Sequence, residues 1–127
     1  MPSRQHRITR GDDYRQTVRS GRRVGGAFCI THAVSHSRGA ESVPQESSPA
    51  RFGYIVSKAV GNSVTRNLLR RRMKTISERL IHEGLVNVDI VFRALPACAD
   101  ASFVDLEAEL RRGVAKAMEP RARGERR

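Results

Sequence analysis

The alternation of apolar and polar positions divides the chain into six predicted elements. Between Thr9 and Gly21, Tyr14 and Val18 fall one helical turn apart on a common face. Thr9 is a capping residue with Asp12 three positions on, and Gly21 is a stop, so this stretch predicts a helix. Val24 to Ser35 then alternates Phe28, Ile30 and Val34 with the smaller Cys29, Thr31 and Ala33, which predicts a strand. A second strand is expected from Arg51 to Ala59, where Phe52, Tyr54 and Val56 alternate with Gly53, Ile55 and Ser57. Gly61-Asn62-Ser63 breaks that pattern and supplies cap chemistry for a helix from about Ser63 to His82, ended by Gly84. Val88 to Leu95 is apolar enough for a central strand, closed by Pro96. Ser102-Phe103-Val104-Asp105 resembles a capping box, and behind it Phe103, Leu106, Leu110, Val114 and Ala117 keep helical spacing.

The order α-β-β-α-β-α predicts an α+β fold, a two-layer sandwich of one central sheet against helices, with room for one extra short strand. One domain is expected over residues 1–118. Residues 36–50, rich in Ser, Gly, Pro, Gln and Glu, read as a solvated and mobile loop, and 119–127 as a basic tail without periodicity.

Composition narrows the partners. The 127 residues hold 24 Lys+Arg against 13 Asp+Glu, a formal net charge of +11. Of these cations 21 are arginine and 3 lysine, and arginine presents a planar fork of donors that matches phosphate and stacks on bases. A polyanion is the expected partner, nucleic acid first. The longest stretch without a charged residue, Val24 to Ser37, is too short and too mixed to cross a membrane. The N-terminal charges have no apolar stretch behind them, so no secretory signal is expected and the protein reads as cytoplasmic. Cys29 and Cys98, far apart in the chain and each in an apolar setting, read as small buried hydrophobes in a reducing compartment rather than a disulfide or metal site.

The densest chemistry lies at Arg66-Asn67-Leu68-Leu69-Arg70-Arg71-Arg72-Met73-Lys74, where five of nine residues are basic and no acidic residue occurs between Arg51 and Ser77. At 100° per residue, Leu69, Met73, Ile76 and Leu80 form one narrow apolar stripe. Arg66, Arg70 and Lys74 stand at i, i+4 and i+8, and with Asn67 and Arg71 they cover a different face. One side of the helix can dock on a sheet while the other offers a cationic ridge to a row of phosphates. A plain solvated surface and a membrane-surface helix are the alternatives. The stripe is narrow and lacks aromatics, which suits a core contact better than a lipid one. The histidines show no ligand spacing with either cysteine, and no compact carboxylate set suits two magnesium ions, so the protein alone does not read as catalytic.

Val56-Ser57-Lys58-Ala59-Val60-Gly61-Asn62-Ser63-Val64-Thr65-Arg66-Asn67, running into the basic helix, resembles the signature of the bacterial ribonuclease P protein component family, often called the RNR motif. Arg7-Ile8-Thr9, Gly21-Arg22-Arg23 and Val88-Asp89-Ile90-Val91 followed by Arg93 agree with it. The resemblance implies a left-handed βαβ crossover around the basic helix. It implies a protein subunit of ribonuclease P that binds the catalytic RNA and the 5′ leader of precursor tRNA, with endonucleolytic hydrolysis performed by the RNA subunit. Magnesium is then held mainly by the RNA and the substrate, and none by the protein alone. Lys58, Asn62, Arg66, Asn67, Arg70, Arg71 and Lys74 fall on its RNA-binding positions, and Tyr14, Val18, Phe28 and Thr31 on its leader-binding cleft. Leu68 stands where the family often has a basic residue, and Val18 and Thr31 replace frequent aromatics. The implied partners are ribonuclease P RNA and precursor tRNA, with no membrane and no obligate protein partner. A general RNA-binding or ribosome-associated module is the alternative function that composition leaves open.

Overall fold

The computed structural model describes residues 4–35 and 48–119. Three helices, α1 (Gly11–Ser20), α2 (Ser63–His82) and α3 (Phe103–Met118), accompany four strands, β1 (Arg22–Gly25), β2 (Cys29–Ser35), β3 (Arg51–Ile55) and β4 (Val88–Ala94). Short 3-10 turns precede α1 and follow β4. The sheet order is β1-β2-β4-β3, with β1–β2 and β2–β4 antiparallel and β3–β4 parallel. A parallel pair needs a crossover, and α2 supplies it between β3 and β4.

The strand period of two sorts the sheet into two faces. Cys29, Thr31, Ala33, Ile90, Phe92, Phe52 and Tyr54 share one face by register, and α2 and α3 cover it. Leu69, Met73, Ile76 and Leu80 of α2 and Leu106, Leu110 and Val114 of α3 are buried there, as their helical spacing predicts. A Cβ on Gly113 would come within 2.5 Å of Thr31 Oγ1, so α3 can lie this close to β2 only with glycine at that position. Across the sheet, Arg51, Gly53, Ile55, Asp89, Val91, Arg93, Ile30, His32 and Val34 form the second face. Among the described helices, α1 lies on it. No helix among the described residues is long and apolar enough to cross a membrane.

Three expectations change. The single strand Val24–Ser35 is a hairpin: β1 ends at Gly25, and the chain turns through residues 26–28 before β2. The cause lies on α3, where the buried Glu109 carboxylate accepts from the backbone N–H of Ala27, Phe28 and Cys29 at 3.0, 2.8 and 2.7 Å. The strand expected to run to Ala59 stops at Ile55, because Ser57 to Gly61 fold into tight turns, Val60 N–H to Ser57 O and Gly61 N–H to Lys58 O. Thr9 does not cap α1, whose N-cap is Arg10 without a side-chain hydrogen bond. Asp89 of β4 accepts from Arg51 Nε at 2.9 Å and Nη2 at 2.6 Å, and Asp13 of α1 approaches Arg51 Nη1 at 3.4 Å, fastening α1 to the sheet.

Of the loop expected at 36–50, residues 36–47 lie outside the described residues, as do 120–127 of the tail. Ser48 and Pro49 pair with the segment before β4: Asn87 N–H donates to Ser48 O at 2.8 Å, and Pro49 bridges Val86. The N-terminal segment borders β3, with Arg7 bridging Phe52 and Ile8 N–H donating to Phe52 O at 2.9 Å. This covers part of an edge strand that would otherwise expose unpaired backbone.

His32 is 3% exposed on the α1 side, and neither ring nitrogen has a hydrogen-bond partner among the described residues. Burial lowers its pKa, helped by the charges of Arg23 and Arg93. The unfolded chain therefore takes up a proton near the ordinary value while the folded chain resists it. Stability is complete above that pH and falls as the solution is acidified through it. Melting temperature followed from about pH 8 to about pH 5 is expected to fall more steeply for the wild type than for His32→Leu. Parallel curves would show that His32 titrates alike in both states.

Candidate nucleic-acid interface

The basic helix starts where its sequence sets it. Asn62 Oδ1 accepts from Thr65 N–H at 2.9 Å, satisfying one orphan donor of the first turn. Tyr54 of β3 donates to Ser77 Oγ at 2.9 Å, and Ser77 donates to Met73 O at 2.8 Å, which fixes α2 over β3. The helix then displays two sets of cations with opposite fates.

Arg79 is engaged by α3, and Arg72 by the segment that leads into it. Arg72 Nη1 donates to Ala101 O at 3.1 Å, which gives this cation, absent from the apolar stripe, a structural partner. Arg79 Nη1 donates to Glu107 Oε1 at 2.8 Å, and its guanidinium lies 5.2 Å from the Phe103 ring centre. Arg111 joins the same network, bidentate to Glu83 at 2.8 and 2.9 Å and 3.0 Å from Glu107. The Arg111 guanidinium beside Glu83 holds that carboxyl below its ordinary value.

The ridge is different. Arg66 Nε donates to Gly61 O at 3.1 Å, and Arg70 donates to Asn67 Oδ1 at 3.2 Å and Val56 O at 3.4 Å. These acceptors are neutral. The salt bridges among described residues join Arg15 to Asp12, Arg51 to Asp13 and Asp89, Arg79 to Glu107, and Arg111 to Glu83 and Glu107. Arg66, Arg70, Arg71, Lys74 and Lys58 take part in none of these. Arg71, Asn67 and Lys58 are exposed, and Arg66, Arg70 and Lys74 half-exposed. Successive ridge positions rise roughly 6 Å along the axis, a spacing suited to a phosphate chain.

The ridge meets a groove. Tyr14, Arg15, Val18, Arg19 and Ile55 line a space of about 300 Å³ between α1 and the end of β3. Ile55 is followed directly by Val56, whose carbonyl accepts from Arg70. The Tyr14 ring lies on the backbone of β3: a Cβ on Gly53 would come within 2.4 Å of it, and Tyr14 Oη accepts from Tyr54 N–H at 3.3 Å. Exposed Arg93 stands in register with Ile55 on the same face.

Of the four residues expected to form the leader cleft, the structure brings Tyr14 and Val18 together. Thr31 is corrected: it is 2% exposed on the opposite face of the sheet, packed against Gly113, because the strand alternation that puts Ile30 toward α1 turns Thr31 toward α3. Phe28 is half-buried against the core just before β2, its carbonyl accepting from Leu95 N–H at 2.8 Å, and does not line this groove. Arg15, Arg19 and Ile55 were missed. Arg15 and Arg19 carry a signal in retrospect, since they flank Tyr14 and Val18 on the helix surface. Ile55 is identified only by the packing of α1 over β3.

A ridge of cations without carboxylate partners among the described residues, opening into a groove with an aromatic wall, defines a polyanion-binding α+β protein. Comparison with known proteins gives the particular family. The Ribonuclease P family profile matches residues 1–118. Ribonuclease P protein components are 38% identical in Clavibacter michiganensis, covering 93% of this chain and 97% of the relative, and 42% identical in Rhodococcus opacus, covering 86% of each. The fold is shared with RNase P proteins from Staphylococcus aureus (TM-score 0.72, 21% identity, 89% of this chain and 95% of that one) and Thermotoga maritima (TM-score 0.71, 17% identity, 90% and 98%). The chain belongs to the ribonuclease P protein component family. Membership makes it a protein subunit of ribonuclease P in tRNA processing, associated with the enzyme's RNA.

Proposed function

We propose that the chain grips ribonuclease P RNA through Lys58, Asn62, Arg66, Asn67, Arg70, Arg71 and Lys74, and receives the single-stranded 5′ leader of precursor tRNA in the α1–β3 groove. The observation that carries this is the ridge itself, where Arg66 and Arg70 bond only neutral acceptors among the described residues and keep their charge for an outside anion. Asn62 acts chiefly by fixing the start of the ridge, since its side-chain oxygen is used as the helix cap. Tyr14 offers a ring for a leader base, and Arg15, Arg19 and Arg93 surround the groove with charge for the leader phosphates.

In this reading residues 1–118 work as one RNA-binding domain in the cytoplasm, and the endonucleolytic step belongs to the RNA subunit with magnesium. Four of the buried or half-buried carboxylates among the described residues are engaged within the chain, which supports that division. Asp13 and Asp89 hold Arg51, Glu107 holds Arg79 and Arg111, and Glu109 holds three backbone N–H groups. Among the described residues there is no group of three or more His, Cys, Asp or Glu that could hold a metal ion.

Tyr14→Ala tests the groove. A base–aromatic stack is worth about 1–3 kcal/mol, so precursor tRNA binding by the reconstituted holoenzyme is expected to weaken by roughly tenfold while mature tRNA binding is unchanged. Circular dichroism checks that the variant is folded. Equal losses for the two tRNAs would take the leader out of this groove.

A further inference from the structure

Cys29 and Cys98 are separated by 69 residues in sequence, yet their sulfurs lie 3.9 Å apart. Both are free thiols and almost fully buried, at 2% and 0% exposure. The surrounding backbone holds each one in place. Cys29 opens β2, paired with Ala94 and with its N–H on Glu109. Cys98 sits in the 3-10 turn Pro96–Asp100, its N–H donating to Leu95 O at 2.8 Å and its carbonyl accepting from Ala101 N–H at 3.1 Å. A disulfide has its sulfurs about 2.05 Å apart, so bonding requires an approach of roughly 2 Å, within reach of side-chain rotation and a small shift of the turn.

A second feature bears on access. A cavity of about 230 Å³ lies between the β1–β2 hairpin and α3, walled by Cys29, Thr31, Glu109, Arg112 and Lys116 among others. Its lining mixes apolar and charged groups, and it has room for a small molecule such as a peroxide. Cys29 borders this space, whereas Cys98 does not line it.

We propose that Cys29 and Cys98 are a peroxide-oxidisable thiol pair that closes into an intramolecular disulfide and stabilises the fold. In the first step the Cys29 sulfur attacks one peroxide oxygen, and the thiol proton passes to the other oxygen. An S–O bond forms, the O–O bond breaks, and the departing oxygen leaves as water. In the second step the Cys98 thiolate attacks the Cys29 sulfur. An S–S bond forms, the S–O bond breaks, and the released hydroxide combines with the proton that Cys98 gave up. Two thiols lose two electrons, and one peroxide is reduced to two waters.

The Cys29 thiol is pushed up by its hydrogen bond to Cys98, by burial and by the Glu109 charge, which makes the first step slow. Cys29 takes the first step because it borders the cavity, and Cys98, whose sulfur is already in contact with it, resolves the intermediate. The crosslink ties a long loop and lies on the core side of the sheet, away from the α1–β3 groove, so RNA binding is retained in the oxidised form.

The test exposes the full chain to hydrogen peroxide, quenches, denatures, alkylates with iodoacetamide and measures intact mass and peptide maps. The expected product is a monomer lighter by two hydrogens, unalkylated, with Cys29 and Cys98 in one linked peptide. It melts higher by roughly 5 °C or more, and dithiothreitol reverses the change. In Cys98→Ala the reaction stops at a Cys29 sulfenic acid that dimedone traps. The proposal is overturned if both thiols are still alkylated after exposure that consumes an exposed reference thiol, if only dimers or over-oxidised chains form, or if the linked monomer melts lower than the reduced one. The wild-type measurement stands whether or not the variant folds.

Discussion

Replacing Arg66 and Arg70 together by alanine is expected to weaken ribonuclease P RNA binding at least tenfold and to lower the slope of log affinity against log salt by about two. The slope matters more than the affinity, because it counts phosphates neutralised. The two guanidiniums hold neutral acceptors, Gly61 O, Asn67 Oδ1 and Val56 O, so removing them strips no described carboxylate of its partner, and the loss reports on the RNA. Arg79→Ala is the contrasting variant. Its charge is met by Glu107 and its guanidinium covers Phe103, so it is expected to lower the melting temperature with the salt slope nearly unchanged. A double variant with the wild-type slope would place the RNA on another surface.

The second large effect is on stability. Glu109→Ala removes one carboxylate and leaves three backbone N–H groups, those of Ala27, Phe28 and Cys29, without an acceptor. Cys29 is buried and Phe28 half-buried, while Ala27 is exposed and can turn to water. Hydrogen bonds to charged groups contribute about 1.5–3 kcal/mol, so a total cost of about 3 kcal/mol is expected once solvent recovery at Ala27 is allowed for. Thermal unfolding should show a fall of roughly 10 °C or more, and Glu109→Gln, which keeps one acceptor oxygen, a smaller one. A variant within about 1 kcal/mol of wild type would mean that water replaces the carboxylate throughout the turn.

These two predictions differ in how far they were legible in the sequence. Helix α2 reads directly, from its Asn62 cap through Leu69, Met73, Ile76 and Leu80 to its last residue His82, because cap, stripe and ridge are all local signals. The Ser102 cap of α3 reads for the same reason. Glu109 does not. Its partners lie some 80 residues earlier, and nothing near it in sequence marks a carboxylate turned inward on a helix face. The same distance hid the hairpin, since Gly25-Gly26 inside an apolar run resembles a strand with a flexible point until something holds the turn.

Long-range register explains the other gaps. Asp89 finds Arg51 only once β3 and β4 are paired in parallel, and the two cysteines meet only once the turn after β4 folds back beside β2. The groove was half legible. Tyr14 and Val18 share a helix face, but Ile55 becomes a wall through packing alone. Thr31 shows the opposite error: its place followed from period-two alternation, and assigning it by resemblance overrode that local rule.

The most direct test of the central claim is cleavage of precursor tRNA by a bacterial ribonuclease P RNA at low magnesium, with and without this protein. Correct removal of the 5′ leader is expected when RNA and protein are combined, and none from either alone. Tight binding of the RNA with no rescue of processing would contradict the claim and leave a general RNA-binding module.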